Sequence, residues 1–88
     1  MRERKEWMNK AVDPILELLN EKLTLNAQSI YLTLSQRAES QEDAPGRTTV
    51  YRALEPLEEN GYITPVEGNE SYYRITAEGK TYLDGDSG

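Results

Sequence analysis

Two short runs rich in β-forming residues, Tyr62-Ile63-Thr64-Pro65-Val66 and Ser71-Tyr72-Tyr73-Arg74-Ile75, flank the polar stretch Glu67-Gly68-Asn69-Glu70. This is a hairpin signal. It constrains the fold strongly, because the apolar residues on both sides of it recur at helical spacing. Pro65 has no N–H to give to a ladder, which puts its strand at a sheet edge. Along the second strand, alternation sends Tyr73 and Ile75 to the core and Tyr72 and Arg74 to the opposite face.

Three helices are expected before the hairpin. The first opens at Asp13-Pro14, a capping residue followed by a proline at the first helical position, and fades near Lys22. Val12, Ile15, Leu16 and Leu19 share one face, broadened by Leu18. Leu23-Thr24-Leu25 alternates as a very short strand. Asn26 is the N-cap of a second helix, with Ala27, Ile30, Leu34 and Ala38 as its buried stripe. Glu39 to Gly46 is polar, ends in Ala-Pro-Gly and reads as a loop, longer than the roughly 3–4 residues common in a helix-turn-helix. The third helix runs from about Arg47 to Asn60, with Val50, Leu54 and Leu57 on one face and Asn60-Gly61 as its stop. Pro56 inside it removes a backbone hydrogen bond and is expected to kink or weaken the second half. After the hairpin, Thr76 caps a short last helix through Leu83.

The order helix, short strand, helix, helix, hairpin, helix describes an α+β winged helix-turn-helix: a three-helix core, a two-stranded β-hairpin wing and a short C-terminal helix. Residues 1–10 read as an N-terminal extension of mixed charge, 11–83 as the domain and 84–88 as a flexible tail. Eighty-eight residues suffice for one domain only.

Composition removes whole classes of function. With no cysteine and no histidine, disulfides, thiolate or imidazole metal sites and Ser/His/Asp triads are excluded. Glu58-Glu59 is a carboxylate pair with no glycine-rich loop or catalytic partner around it, so no enzyme is expected, and neither a cofactor nor a small-molecule ligand is evident. Apolar runs are brief, such as the pair Ile15-Leu16, far short of the ~20 residues of a membrane span. Met1 to Lys10 is charged with no apolar stretch after it, unlike a secretory signal. A cytoplasmic protein without membrane contact is expected.

The segments Trp7-Met8, Asp13-Pro14-Ile15-Leu16-Glu17, Tyr73-Arg74-Ile75-Thr76, Gly79-Lys80 and Tyr82-Leu83 resemble the winged-helix proteins of haloarchaea, including phage-repressor-like ones. Thr49-Val50-Tyr51-Arg52-Ala53-Leu54 with Leu57-Glu58-Glu59-Asn60-Gly61-Tyr62-Ile63 is also similar to PadR-type repressors. The resemblance spans Trp7 to Leu83. It implies a sequence-specific transcription regulator, often dimeric, with the third helix in the major groove of double-stranded DNA. A repressor is the expected direction. The long loop before the third helix and Pro56 depart from these families.

The third helix carries Arg47 and Arg52 and no acid in its first half, and Glu55, Glu58 and Glu59 and no base in its second. The macrodipole favours the reverse, by roughly 0.3–1 kcal/mol per charge, so this order fits a helix that offers its N-terminal half to phosphates and base edges. Arg47 and Arg52 can take guanine or phosphate, and Thr48 and Thr49 a thymine methyl or a phosphate. Tyr51 either faces DNA or packs under the wing. Asn69 is the neutral polar residue at an otherwise acidic wing tip. Arg74 is either a wing contact or an exposed salt-bridge partner. Arg2, Arg4, Lys5 and Lys10 form either a backbone-binding arm or a solvated terminal segment. Trp7 needs an apolar partner, on the domain or across a homodimer interface formed by the N-terminal segment and the last helix (Tyr82, Leu83).

Sixteen acids against ten bases give a net charge of −6, whereas phosphate neutralisation usually makes DNA-binding domains basic. A salt-rich, halophilic archaeal cytoplasm reconciles the two, because screening acts within ~3 Å at 1 M salt. Four lysines against twelve glutamates fit that setting. The alternative reading is a winged helix used as a protein–protein interaction module in a transcription assembly, which the acidic wing favours.

Overall fold

The computed structural model describes residues 5–38 and 45–85. Most of the Glu39–Gly46 loop, Arg2, Arg4 and the last three residues of the tail lie outside them. The elements run α1 (Val12–Lys22), β1 (Leu25–Asn26), α2 (Ala27–Arg37), α3 (Arg47–Glu59), β2 (Ile63–Val66), β3 (Asn69–Ile75) and α4 (Ala77–Asp84).

The helix α1 lies at the centre, against α2, α3, α4 and β3. Val12, Ile15, Leu16, Leu18 and Leu19 are all buried, so the apolar stripe covers much of the helix circumference because neighbours surround it. Ile30, Val50, Leu54, Leu57, Ile63 and Ile75 close the core around it. Truncating one such buried leucine or isoleucine to alanine typically costs about 2–5 kcal/mol.

The helix starts earlier than Asp13. Asn9 accepts from the Val12 N–H through its main-chain oxygen at 3.2 Å and from the Ala11 N–H through Oδ1 at 2.9 Å, so a turn built on Asn9 leads into α1. Asp13 and Pro14 therefore fall inside the first turn. An acid suits the dipole there, and a missing N–H costs nothing there. The other end also differs from expectation. Leu23 is the C-cap of α1, with φ 77°, and the strand is Leu25-Asn26 rather than Leu23 to Leu25.

Two caps follow the sequence closely. Asn26 accepts from the Ser29 N–H at 2.8 Å to start α2, and Thr76 accepts from the Gly79 N–H at 3.1 Å to start α4. Ile30 and Leu34 are buried on α2, with Ala27 and Ala38 at the edge of that stripe. The helix α3 continues through Pro56 to Glu59. The proline leaves only the Arg52 carbonyl without its helical donor, and the exposed Asn60 side chain donates back to the Pro56 oxygen at 2.7 Å.

The sheet is antiparallel, in the order β1-β3-β2, which puts Pro65 on an edge strand. Ile63 pairs with Ile75, Thr64 with Arg74 and Pro65 with Tyr73, and an irregularity between Pro65 and Val66 then brings Val66 opposite Asn69. The turn is thus Glu67-Gly68, shorter than the sequence implied, with Gly68 at φ 88°, a conformation that strains any side-chain-bearing residue. Tyr73 and Ile75 face inward while Tyr72 and Arg74 are exposed, as the alternation requires.

Residues 5–10 are not a free extension. Met8 is in the core, and the Trp7 ring packs on Tyr62 at 5.9 Å between centroids. Tyr62 in turn meets Tyr82 at 5.7 Å, and the Tyr82 hydroxyl donates to Asp13 at 2.6 Å. Trp7, Tyr82 and the half-buried Leu83 all pack within one chain. This removes the exposed apolar groups on which a dimer through the N-terminal segment and last helix was expected.

Candidate nucleic-acid interface

The helix α3 turns Val50, Ala53, Leu54 and Leu57 inward and leaves Arg47, Thr48, Tyr51, Arg52, Glu55, Glu58 and Glu59 exposed. Its outer surface therefore grades from basic and hydroxylated at the N-terminal end to acidic at the C-terminal end. Gly46 is the N-cap and brings no side-chain hydrogen bond, so among the described residues the first-turn N–H groups have no side-chain cap. Such groups, at the positive end of the dipole, suit an anion.

The guanidinium of Arg47 lies over the Tyr51 ring, 5.4 Å from its centroid. This is an i,i+4 pair on one helix face, joined by a cation–π contact worth about 0.5–1 kcal/mol at an exposed site. Tyr51 thus supports Arg47 rather than packing beneath the wing. Among the described residues, Arg47, Arg52 and Arg74 form no ion pair, while Arg37 makes a two-pronged contact with Glu21 at 2.9 and 3.0 Å. Thr49 is half-buried, and its carbonyl oxygen accepts from the Asn9 side chain at 3.1 Å.

The remaining sequence-derived residues are dispersed. Asn69 is exposed but opens β3 opposite Val66, between Glu67 and Glu70, so it is a strand residue rather than a tip residue. Arg74 lies towards the root of the hairpin, opposite Thr64. It shares a cleft with Lys80 and the end of α1. Arg47, Thr48, Tyr51 and Arg52 are therefore brought together, Thr49 stands at their edge, and Asn69 and Arg74 are elsewhere. Asn9 escaped the sequence reading, because its contact with α3 spans 40 positions. The Arg47–Tyr51 spacing was a signal available in the sequence.

At the other end of α3 the surroundings are unfavourable to an anion. Burial, with the Glu58 carboxylate adding to it, raises the Tyr73 phenol above its usual range. This places a negative charge of α3 beside the hairpin's inner face. The wing turn adds Glu67 and Glu70, both exposed.

The order α1-β1-α2-α3-β2-β3-α4 with a β1-β3-β2 sheet defines the winged helix-turn-helix class, α2 and α3 being its two stacked helices and β2-β3 its wing. Within that class, the chain is similar to the PhiH1 repressor-like protein from Haloarcula marismortui, at a TM-score of 0.73 and 29% sequence identity, over 98% of this chain and 88% of that one. This likeness bears out the resemblance to haloarchaeal phage-repressor-like proteins over nearly the whole chain. No family model matches the chain, and no curated protein matches it. No helix among the described residues is long and apolar enough to cross a membrane.

Proposed function

We propose that this chain is a regulatory DNA-binding protein that reads duplex DNA with the exposed N-terminal half of α3 and represses transcription by occupying its site. The observation that carries this reading is the cluster Arg47, Thr48, Tyr51 and Arg52. It is a basic, hydroxylated surface without ion pairs among the described residues, in a chain of net charge −6 whose fold is shared with a repressor-like protein.

Arg47 and Arg52 present planar donor forks suited to guanine edges or phosphates, and Thr48 offers a hydroxyl and a methyl. The acidic wing and the acidic end of α3 repel the backbone, so the contact is confined to one end of the helix. Few phosphate contacts mean a shallow salt dependence, which suits a salt-rich cytoplasm. The test is selection of bound sequences from a random duplex pool in molar KCl, followed by fluorescence anisotropy across a KCl series. A selected motif is expected, with preference lost in Arg47→Ala and Arg52→Ala. Failure to select any motif would reject the reading. The acidic wing, Glu67 and Glu70, favours a second reading, a protein-interaction module, which co-purification of a basic partner without any selected motif would support.

A further inference from the structure

Leu23 ends α1 with φ 77° and ψ −63°, and it is the one positive-φ residue besides glycine among those described. The Thr24 N–H donates to the Lys22 oxygen across it at 3.0 Å. This is a γ-turn of the strained, positive-φ kind, which a bulky L-residue rarely adopts. The Leu23 side chain is 73% exposed, more than any other large apolar side chain described. A glycine would relieve the turn, and the leucine side chain adds little to the core. An outlier of this sort points to a role outside folding.

Leu23 forms the rim of a cleft of about 200 Å³ between the end of α1, β3 and α4. Buried Leu19 and Ile75 form its apolar base, and Asn20 and Thr24 supply neutral polar groups. Its charged lining residues are Arg74 and Lys80. Both are exposed, and neither forms an ion pair among the described residues. Among the described residues no acid lines the cleft, although acids outnumber bases sixteen to ten in the chain. The C-terminal end of α1 contributes about half a negative charge, against two full positive charges, so the cleft favours an anion.

The volume lies below the ~300–1,000 Å³ typical of pockets for drug-sized ligands, which limits the occupant to a small molecule. A strongly hydrated phosphate gains nothing from an apolar base, whereas a carboxylate with a hydrocarbon body uses both parts of the lining. The geometry points to a binding site for a small carboxylic acid with a short apolar body. The carboxylate is held by Arg74 and Lys80, and the body covers Leu19, Leu23 and Ile75. No α3 residue lines this cleft, so the site stands whether or not α3 reads DNA.

The test titrates ¹⁵N-labelled protein with sodium hexanoate, and in parallel with hexanol, sodium acetate and inorganic phosphate, at low salt. Hexanoate is expected to give saturable amide shifts confined to Leu23, Thr24, Ile75 and their neighbours, with weak or no response to the other three. In Arg74→Gln/Lys80→Gln the hexanoate affinity falls about tenfold or more, while the rest of the spectrum stays in place because both side chains are exposed. Three results would overturn the site. They are no localised shift up to about 50 mM hexanoate, equal response to hexanol or phosphate, or unchanged hexanoate affinity in the double variant. Displacement of hexanoate by a DNA duplex, with shifts at the same amides, would also overturn it and make the cleft a nucleic-acid contact.

Discussion

The Asn9 side-chain amide donates to the main-chain oxygen of Thr49 over 3.1 Å, while its Oδ1 accepts from the Ala11 N–H at 2.9 Å. One side chain therefore both starts α1 and tethers the first turn of α3. Asn9→Ala is expected to lower stability by about 1–2 kcal/mol, read as a shift in the urea midpoint without a change in slope. An unchanged midpoint would mean that the bridge contributes nothing.

The Arg47–Tyr51 stack separates ring from hydroxyl. Tyr51→Phe keeps the ring under the guanidinium and is expected to leave duplex affinity close to that of the parent chain. Tyr51→Ala frees Arg47 and should weaken binding about two- to fivefold, the equivalent of one exposed cation–π contact. Anisotropy titrations on a selected duplex distinguish them. Equal losses in both variants would assign the effect to the hydroxyl instead.

Gly79 sits where α4 crosses the strand ends. A Cβ there would run into the Tyr62 main-chain oxygen and come within 2.6 Å of the Ile75 Cγ1. Gly79→Ala should therefore cost about 3 kcal/mol. Gly68→Ala meets open space but carries φ 88°, and about 1–2 kcal/mol is expected from the backbone alone. Thermal unfolding of the two variants tests the order, and a milder Gly79 variant would show that α4 can shift to make room.

The Tyr82 hydroxyl reaches Asp13 at 2.6 Å, tying the last helix to the first. Tyr82→Phe removes this contact and keeps the ring against Tyr62. A loss of about 1 kcal/mol is expected, or a melting temperature lower by roughly 4–8 °C in a domain of this size. Calorimetry on both chains provides the check.

The Arg37 guanidinium beside Glu21 holds that carboxyl below its ordinary value of 4.5. A carboxylate whose folded value is depressed stabilises the fold above its unfolded value, and that contribution is lost as the pH falls through the folded one. Arg37→Gln should therefore flatten part of the acid limb of the stability–pH curve below about pH 4.5. Both groups are exposed, so the effect is small and should vanish in molar KCl. Denaturant midpoints at several pH values, in low and high salt, would show it, and identical acid limbs for the two chains at low salt would count against it.

What could be read from the chain was local. Asn26 and Thr76 each cap a helix by accepting from an N–H three residues on. Alternation from Tyr72 to Ile75 and the missing donor of Pro65 act over one or two positions. The helix-helix-hairpin order followed from these short-range preferences, and so did the basic start and acidic end of α3.

What the sequence could not settle depends on residues brought together from afar. Trp7 had two open partners until Tyr62 folded beneath it. Asp13 looked like a cap, but Asn9 opens the turn before it, and Asp13 instead accepts from Tyr82, 69 positions away. Leu23 read as the start of a strand because apolar alternation carries no information about φ. Arg74 is a wing residue as expected, but alternation assigns it a face and does not say what lies beside that face. By itself the sequence determined the kind and order of the elements and which faces are apolar, since propensity, capping and periodicity act within a few residues. Only the tertiary structure decided what those faces meet. It clasped Lys5 to Ala11 onto the core and α3, left the first half of α3 open, and set Arg74 beside Lys80, because packing chooses among long-range partners that local chemistry leaves equivalent.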